Sequence, residues 1–238
     1  MAEILLTLDT SSRAGSVAVS RGEKLLGEIF LDRKTTHSDR LLCTVQQLLG
    51  DLDLTLEQID ALGVVLGPGS FTGLRVGVAT VKGLAMATGK PVVGVSSLRT
   101  LAVQLPWTRF PLCTLLDARK GEVYAGLYNW EGGLPVAVAP ETVQPPEKLF
   151  AALGGEYLFA GDGAVAYRTL ITRQMGARAH FAPWHHNAAR ASAAAVLALQ
   201  HFRAGETVAL EALVPIYIRP SEAELMWAAK AADGAIEG

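Results

Sequence analysis

The run Gly67-Pro68-Gly69-Ser70-Phe71-Thr72-Gly73-Leu74-Arg75 constrains this chain more than any other stretch. It follows an apolar segment, Leu62 to Leu66, and opens a helix-like one, Val76 to Ala87. That order reads as strand, glycine turn, helix. Glycines 67, 69 and 73 permit backbone conformations that side chains forbid, and Thr72 is placed to cap the helix. A glycine turn at a helix N-terminus is the architecture of an anion site. Small residues along the helix are the architecture of a close helix–helix contact. The function of the chain turns on which of the two it serves.

The 238 residues suffice for one large domain or two small ones, and a chain of this size buries roughly 70% of its unfolded surface. Hydrophobic residues make up 50% and charged ones 18%, too apolar a balance for a disordered chain. A formal net charge of −2 supplies no global field for nucleic acid, so RNA would need a local patch or a partner to hold it. Cys43 and Cys113 both lie in apolar runs and read as buried thiols in a reducing compartment. Met-Ala-Glu-Ile-Leu-Leu lacks a basic leader and runs straight into a strand, so no signal peptide is expected. No apolar run reaches the ~20 residues that span a bilayer. The expectation is a soluble cytoplasmic protein.

Three short strands come first: Ile4 to Leu8, Val17 to Val19 and Leu25 to Leu31, joined by tight turns as an antiparallel meander. Helical spacing follows at Leu41, Val45, Leu48 and Leu49, closed by Gly50. Thr55 and Gln58 fit a capping box, and after them come the strand Ala61 to Leu66, the long helix and the strand Pro91 to Val95. Beyond a connector at 107–111 the succession recurs. Leu112 to Ala118, Glu122 to Trp130 and Pro135 to Ala139 are strand-like, Pro145 to Leu153 is helical, Tyr157 to Ala160 a strand and Val165 to Met175 a helix. An alanine-rich helix spans Ala188 to Ala204, and Ile216 to Arg219 is extended. Twice three strands, helix, strand, helix predicts two α/β lobes of actin-like type, each a mixed five-stranded sheet: 1–106, 107–220 and a fraying tail, 221–238.

Each motif carries a chemical reading and a plain one. Asp9-Thr10-Ser11 ends the first strand, where hydroxyls and amides cradle phosphate or satisfy a turn. Gly67, Gly69 and Ser70 offer a second phosphate contact with Arg75 as counter-charge, or a ligand-free turn; the spacing is neither a Walker A loop nor a Gly-x-Gly-x-x-Gly fingerprint. Gly73, Gly77, Gly83 and Ala87 line helix faces at i, i+4 spacing, for a neighbouring helix or the chain's own sheet. His37 is followed four residues on by Leu41, so the helical His pair that would start a metal site is missing. Asp117 to Tyr124 places two acids and two bases in one turn, and Gly161-Asp162-Gly163 precedes a helix.

Taken together these strings resemble the bacterial TsaB (YeaZ) family. The match rests on Leu8-Asp9-Thr10-Ser11 with Ser16 to Val19, His37-Ser38, Gly67 to Gly77, Lys82 to Ala85, Asp117 to Tyr124 and Pro215 to Pro220, and it covers essentially the whole chain.

The resemblance implies an actin-like, non-catalytic subunit needed for threonylcarbamoyl-adenosine next to the tRNA anticodon. It implies a partner, the transferase TsaD, whose helical His-x-x-x-His pair this chain lacks, and a third component, the ATPase TsaE. Pairing would run through helices 38–49 and 72–88, using His37, Leu41, Val45, Leu48, Gly73, Arg75, Val76, Gly77, Thr80, Gly83, Leu84 and Ala87. A homodimer would use the same surface when TsaD is absent, and tRNA would be met through the complex. No cofactor is required on this reading; ATP or ADP with magnesium at the interlobe cleft, touching Asp9, Thr10, Ser11, Gly67, Gly69 and Ser70, is the alternative. Three rival functions are weighed: an actin-like small-molecule kinase using Asp9 or Asp162, a metallopeptidase, and direct tRNA recognition, for which a mildly acidic chain predicts weak, salt-sensitive contact at most, made as part of the complex.

Overall fold

The structure, a computed structural model, describes residues 2–32 and 40–219. The tail expected to fray lies outside the described residues. The first sheet holds β1 (Ile4–Asp9), β2 (Ala14–Arg21), β3 (Lys24–Asp32), β4 (Ala61–Gly67) and β5 (Val92–Ser96), in the order β3-β2-β1-β4-β5. The first three pair antiparallel; β4 and β5 add parallel to β1. Its helices are α1 (Leu41–Asp51), α2 (Phe71–Thr88) and α3 (Ser97–Val103). The capping box is present, with the Thr55 N–H donating to Gln58 Oε1 at 2.8 Å before a short turn of 3₁₀ helix, Leu56–Gln58.

Strands β1 and β4 are apolar almost throughout because both faces are covered. Leu6, Leu8, Leu62, Val64 and Leu66 face α1 and α2, where they meet Val45, Leu48, Val78 and Val81. Leu5, Ala61 and Val65 face the other way, onto Ala194, Leu197 and Ala198 of a helix from much later in the chain.

The second sheet comprises β6 (Leu112–Asp117), β7 (Val123–Glu131), β8 (Leu134–Ala137), β9 (Thr142–Gln144), β10 (Tyr157–Ala160) and β11 (Ala179–Phe181). Helices α4 (Pro146–Ala152), α5 (Asp162–Ala166) and α6 (Arg168–Met175) accompany it, and α7 (Ala191–Arg203) closes the regular structure. Read from the meander edge, its order β8-β7-β6-β10-β11 repeats that of the first sheet. The fold is the duplicated, actin-like one. The second sheet has six strands, not five. β8 pairs only with Tyr128–Glu131 of the long β7, and the free edge at Val123–Ala125 is taken by β9.

The two halves exchange helices. From the first half, α3 packs Leu98, Leu101 and Leu105 onto Leu112, Leu116 and Tyr128 of the second sheet. From the second half, α7 covers the first sheet. A chain division at 106/107 therefore separates the sheets but not the helices that cover them. Small residues make the exchange fit: a Cβ on Gly63 would lie 2.7 Å from Thr7 Oγ1 and 3.1 Å from Ala198 Cβ.

Candidate functional site

Two turns meet at the C-terminal end of β1. Asp9 ends the strand, 1% exposed, and its Oδ1 accepts a hydrogen bond from the Ser11 N–H at 2.8 Å. The Thr10 hydroxyl donates to the Gly73 carbonyl at 2.7 Å, and the Ser70 N–H donates to the Ser11 carbonyl at 2.7 Å. Ser70, not Thr72, is the N-cap of α2: its Oγ accepts from the Gly73 N–H at 3.3 Å, because the helix already begins at Phe71. Of the six residues assigned to phosphate, Asp9, Thr10, Ser11, Gly69 and Ser70 come together. Gly67 faces elsewhere, toward Leu74 and the Ile216 carbonyl.

The glycines explain how tight this junction is. A Cβ on Gly69 would stand 2.1 Å from the Ser11 carbonyl oxygen, and one on Gly73 2.1 Å from that of Thr10. One on Gly77 would stand 2.4 Å from Thr10 Oγ1. Such contacts are not available to a side chain, so only glycine lets α2 close on the β1–β2 turn. The two turns bond directly to each other. Ser16, opposite Asp9 on β2, accepts from the Ala191 N–H at 2.8 Å and so holds the start of α7.

The second lobe repeats the device. Asp117 ends β6 as Asp9 ends β1, and its Oδ1 accepts from the Arg119 N–H at 2.9 Å, two residues on. A Cβ on Gly161 would lie 2.0 Å from the Leu115 carbonyl oxygen. Asp162 Oδ1 accepts from the Asp117 N–H at 3.0 Å. The Asp162 carboxyl is accessible to solvent yet hemmed in by protein, and this partial loss of water pushes its pKa above 3.8 against the opposing hydrogen bond from the Asp117 N–H.

A strap joins the two lobes here. The Ile216 N–H donates to the Leu66 carbonyl at 2.8 Å, and Arg75 Nε donates to the Tyr217 hydroxyl at 3.1 Å. The Tyr217 ring lies 5.2 Å from that of Phe71, over which the Arg75 guanidinium also sits at 3.9 Å. At its far end Arg219 donates to the Ala118 carbonyl at 2.9 Å and pairs with Glu122. Arg75 therefore serves the strap and does not point into the β1–β2 turn. Tyr217 and Arg219 were not assigned to any site from the sequence; their signal was the family string Pro215 to Pro220.

The helical residues assigned to a partner divide by exposure. Leu41, Val45 and Leu48 of α1 and Leu84 of α2 are buried in the first core. Gly73 and Gly77 are buried against Thr10. These six are unavailable to another chain, because the apolar positions at helical spacing are claimed by the chain's own sheet. Val76 and Thr80 are half-buried, while Arg75, Gly83 and Ala87 are exposed. Beside them Met86 is 76% and Leu42 51% exposed. Cys43, read as buried, is exposed on α1; Cys113 is buried, which raises its thiol pKa. His37 lies outside the described residues. Among the described residues no three His, Cys, Asp or Glu side chains cluster as metal ligands would.

The family model for TsaD, tRNA N6-adenosine threonylcarbamoyltransferase, matches residues 24–227. The Bacillus subtilis (strain 168) tRNA threonylcarbamoyladenosine biosynthesis protein TsaB is 31% identical over 226 residues, covering 94% of this chain and 97% of the relative. The chain belongs to the TsaB family. The Escherichia coli (strain K12) TsaB is 34% identical over 224 residues, covering 90% of this chain and 94% of its own length. The solved structure of YeaZ from Pseudomonas aeruginosa superposes with a TM-score of 0.79 at 32% identity, covering 90% of this chain and 99% of that one. Of the TsaB strings recognised in the sequence, those of the β1–β2 turn, the start of α2, the β6–β7 turn and the strap are linked in space, while Lys82 to Ala85 lies further along α2 and His37-Ser38 outside the described residues. No described helix is long and apolar enough to cross a membrane.

Proposed function

We propose that this chain is a non-catalytic subunit of the cytoplasmic machinery that makes threonylcarbamoyladenosine next to the tRNA anticodon, and that it docks and activates a TsaD-type transferase together with TsaE. The names of its relatives and the match to the TsaD model support the pathway and the kinship between the two subunits. One observation carries the docking face. Gly83 lies in the interior of α2, where glycine costs about 1 kcal/mol relative to alanine. A Cβ there would meet nothing within 4 Å. Within the described residues the fold gives no reason for that glycine; a helix of another subunit lying along Ala79, Gly83 and Met86 does. Two copies of this chain present the same face, which accounts for a homodimer when TsaD is absent.

This reading asks for no nucleotide between Asp9–Ser11 and Gly67–Ser70, where the Thr10 hydroxyl bonds to the Gly73 carbonyl and the Ser70 N–H to the Ser11 carbonyl, although the buried Ser11 hydroxyl has no partner among the described residues. Reconstitution tests it: threonylcarbamoyl transfer to tRNA is measured with TsaD and TsaE, with and without this chain. Strong stimulation is expected. Equal rates in both reactions overturn the proposal.

A further inference from the structure

The outer edge of the second lobe presents an unusual surface. From Gly163 to Gly205 the sequence contains no Asp or Glu, but five arginines and four histidines, in a chain whose net charge is −2. Arg190 is paired with Glu28, and Arg203 with Glu3 and Glu23. Arg168 and Arg173 are exposed and, among the described residues, in no ion pair; so is Arg109 from the connector. Of the acids nearby, Glu156 lies 3.4 Å from His180.

Two tryptophans stand on this edge. Trp107 is 88% and Trp184 86% exposed, the two most exposed large hydrophobic side chains among the described residues. Their segments run side by side in opposite directions. Gln104 Nε2 donates to the Ala188 carbonyl at 3.1 Å, and the Phe110 and His180 rings stack at 3.8 Å. Between those anchors Trp107 falls opposite the region of Trp184. Trp107 holds its backbone at φ +61°, a strained value for a bulky side chain, while its ring stays in solvent. Arg109 lies 5.7 Å from the Phe110 ring, and the Arg168 guanidinium 4.0 Å over Phe181 at the end of the edge strand β11. Exposed flat rings beside unpaired arginines are what an unpaired nucleic-acid strand needs: stacking for its bases and cations for its phosphates.

We infer that this edge is an RNA-binding face, on which unpaired nucleotides of the tRNA stack on Trp107 and Trp184 while Arg109 and Arg168 hold the flanking phosphates. The inference deepens the proposed function and rests on it for the identity of the RNA. Single-stranded RNA is favoured over another protein because the patch joins predominantly basic side chains to two exposed indole rings.

The test is binding of a tRNA transcript to the full chain at low salt, by titration and by crosslinking with 4-thiouridine-substituted tRNA. Wild type is expected to bind, to lose affinity steeply as salt rises, and to crosslink within 104–110 and 180–190. The Trp107→Ala/Trp184→Ala pair is expected to weaken binding about tenfold or more, the scale of one or two lost stacking contacts. Arg109→Glu/Arg168→Glu should flatten the salt dependence by about two phosphate contacts. Both pairs change exposed side chains, so melting temperature should hold, and Lys24→Ala on the first lobe should bind as wild type. Absence of binding, unchanged affinity in the tryptophan pair, crosslinks confined to other segments, or equal competition by duplex DNA of the same charge overturns the inference. If wild type stimulates transfer but the tryptophan pair binds tRNA normally, this face is wrong and the proposed function stands. If transfer does not need the chain, the function falls while the binding result is read independently.

Discussion

Thr10 and Gly73 hold each other across 63 residues of sequence: the threonine hydroxyl donates to the glycine carbonyl at 2.7 Å, and the space for a glycine Cβ is occupied by the threonine carbonyl. The glycine string at the start of α2 thereby takes part in an internal junction. It locks the start of α2 to the end of β1, and so orients the outer face of the helix.

Two alanine substitutions in the same helix should act in opposite directions. Gly73→Ala forces a Cβ against backbone oxygen and is expected to cost about 3 kcal/mol or more. Gly83→Ala meets open space and is expected to stabilise by about 1 kcal/mol through helix propensity. Chemical denaturation of both variants checks this. A destabilised Gly83→Ala would mean that the helix already has a neighbour there.

Thr10 and Gly77 should be coupled. Gly77→Ala places its Cβ 2.4 Å from Thr10 Oγ1, but the next Thr10 atom, Cβ, is 3.6 Å away. In a Thr10→Ala background the added methyl is accommodated. The double variant is therefore expected to be more stable than the sum of the single losses, by about 1 kcal/mol or more in a double-mutant cycle. Strict additivity would contradict the geometry.

Binding to TsaD should respond to the outer stripe and not to the inner one. Gly83→Leu and Met86→Asp are expected to abolish capture of TsaD while leaving the melting temperature near that of wild type. Val45→Asp and Gly77→Leu would instead unfold the first lobe, since Val45 is 2% exposed and Gly77 abuts Thr10. Pull-down paired with circular dichroism separates the two classes.

Asp162 sets a pH dependence. Its pKa is raised in the folded protein, so above 3.8 the unfolded chain holds fewer protons than the folded one, and stability falls as pH rises until the folded group has ionised. Asp162→Asn keeps the acceptor for the Asp117 N–H and removes the ionisation. The variant should gain on wild type as pH climbs above 3.8, then keep a constant advantage. Denaturation curves from about pH 3 to about pH 8, a span that brackets carboxylate ionisation, measure it; a gap that narrows with rising pH would refute the assignment.

The strap should loosen when Arg219 is removed. Arg219→Ala deletes the bonds to Ala118 and Glu122, and a charged hydrogen bond of this kind contributes about 1.5–3 kcal/mol. Amide exchange at Ile216, which is bonded to Leu66, is expected to speed up by about tenfold or more, with exchange in β1 unchanged.

Much of the fold was legible because its signals are local. The apolar runs that became β1, β4, β6 and β10, the spacing Leu41-Val45-Leu48, and the Thr55–Gln58 capping box each depend on residues a few positions apart. β9, β11 and α3 were not read. The two strands are three residues each, too short for a pattern, and α3 follows β5 without a turn, with Ser96 as its cap. The recurrence of three strands, helix, strand and helix gave the duplication, and the Leu-Asp that ends the first strand of each half was a further trace of it.

What the residues alone determined was therefore the order of elements and the doubling, which follow from periodicity and from which backbone conformations glycine, proline and capping side chains allow, and the family, which rests on the resemblance of its strings. What only the tertiary structure decided was direction. Whether Gly77 faces a partner or Thr10, whether Leu41 and Val45 face outward or the sheet, whether Arg75 meets a ligand or Tyr217, and which lobe α7 covers all depend on contacts between segments far apart in the chain. Helical spacing marks a face as apolar or small but does not say what covers it, since the free energy of burial is the same against one's own sheet as against another subunit.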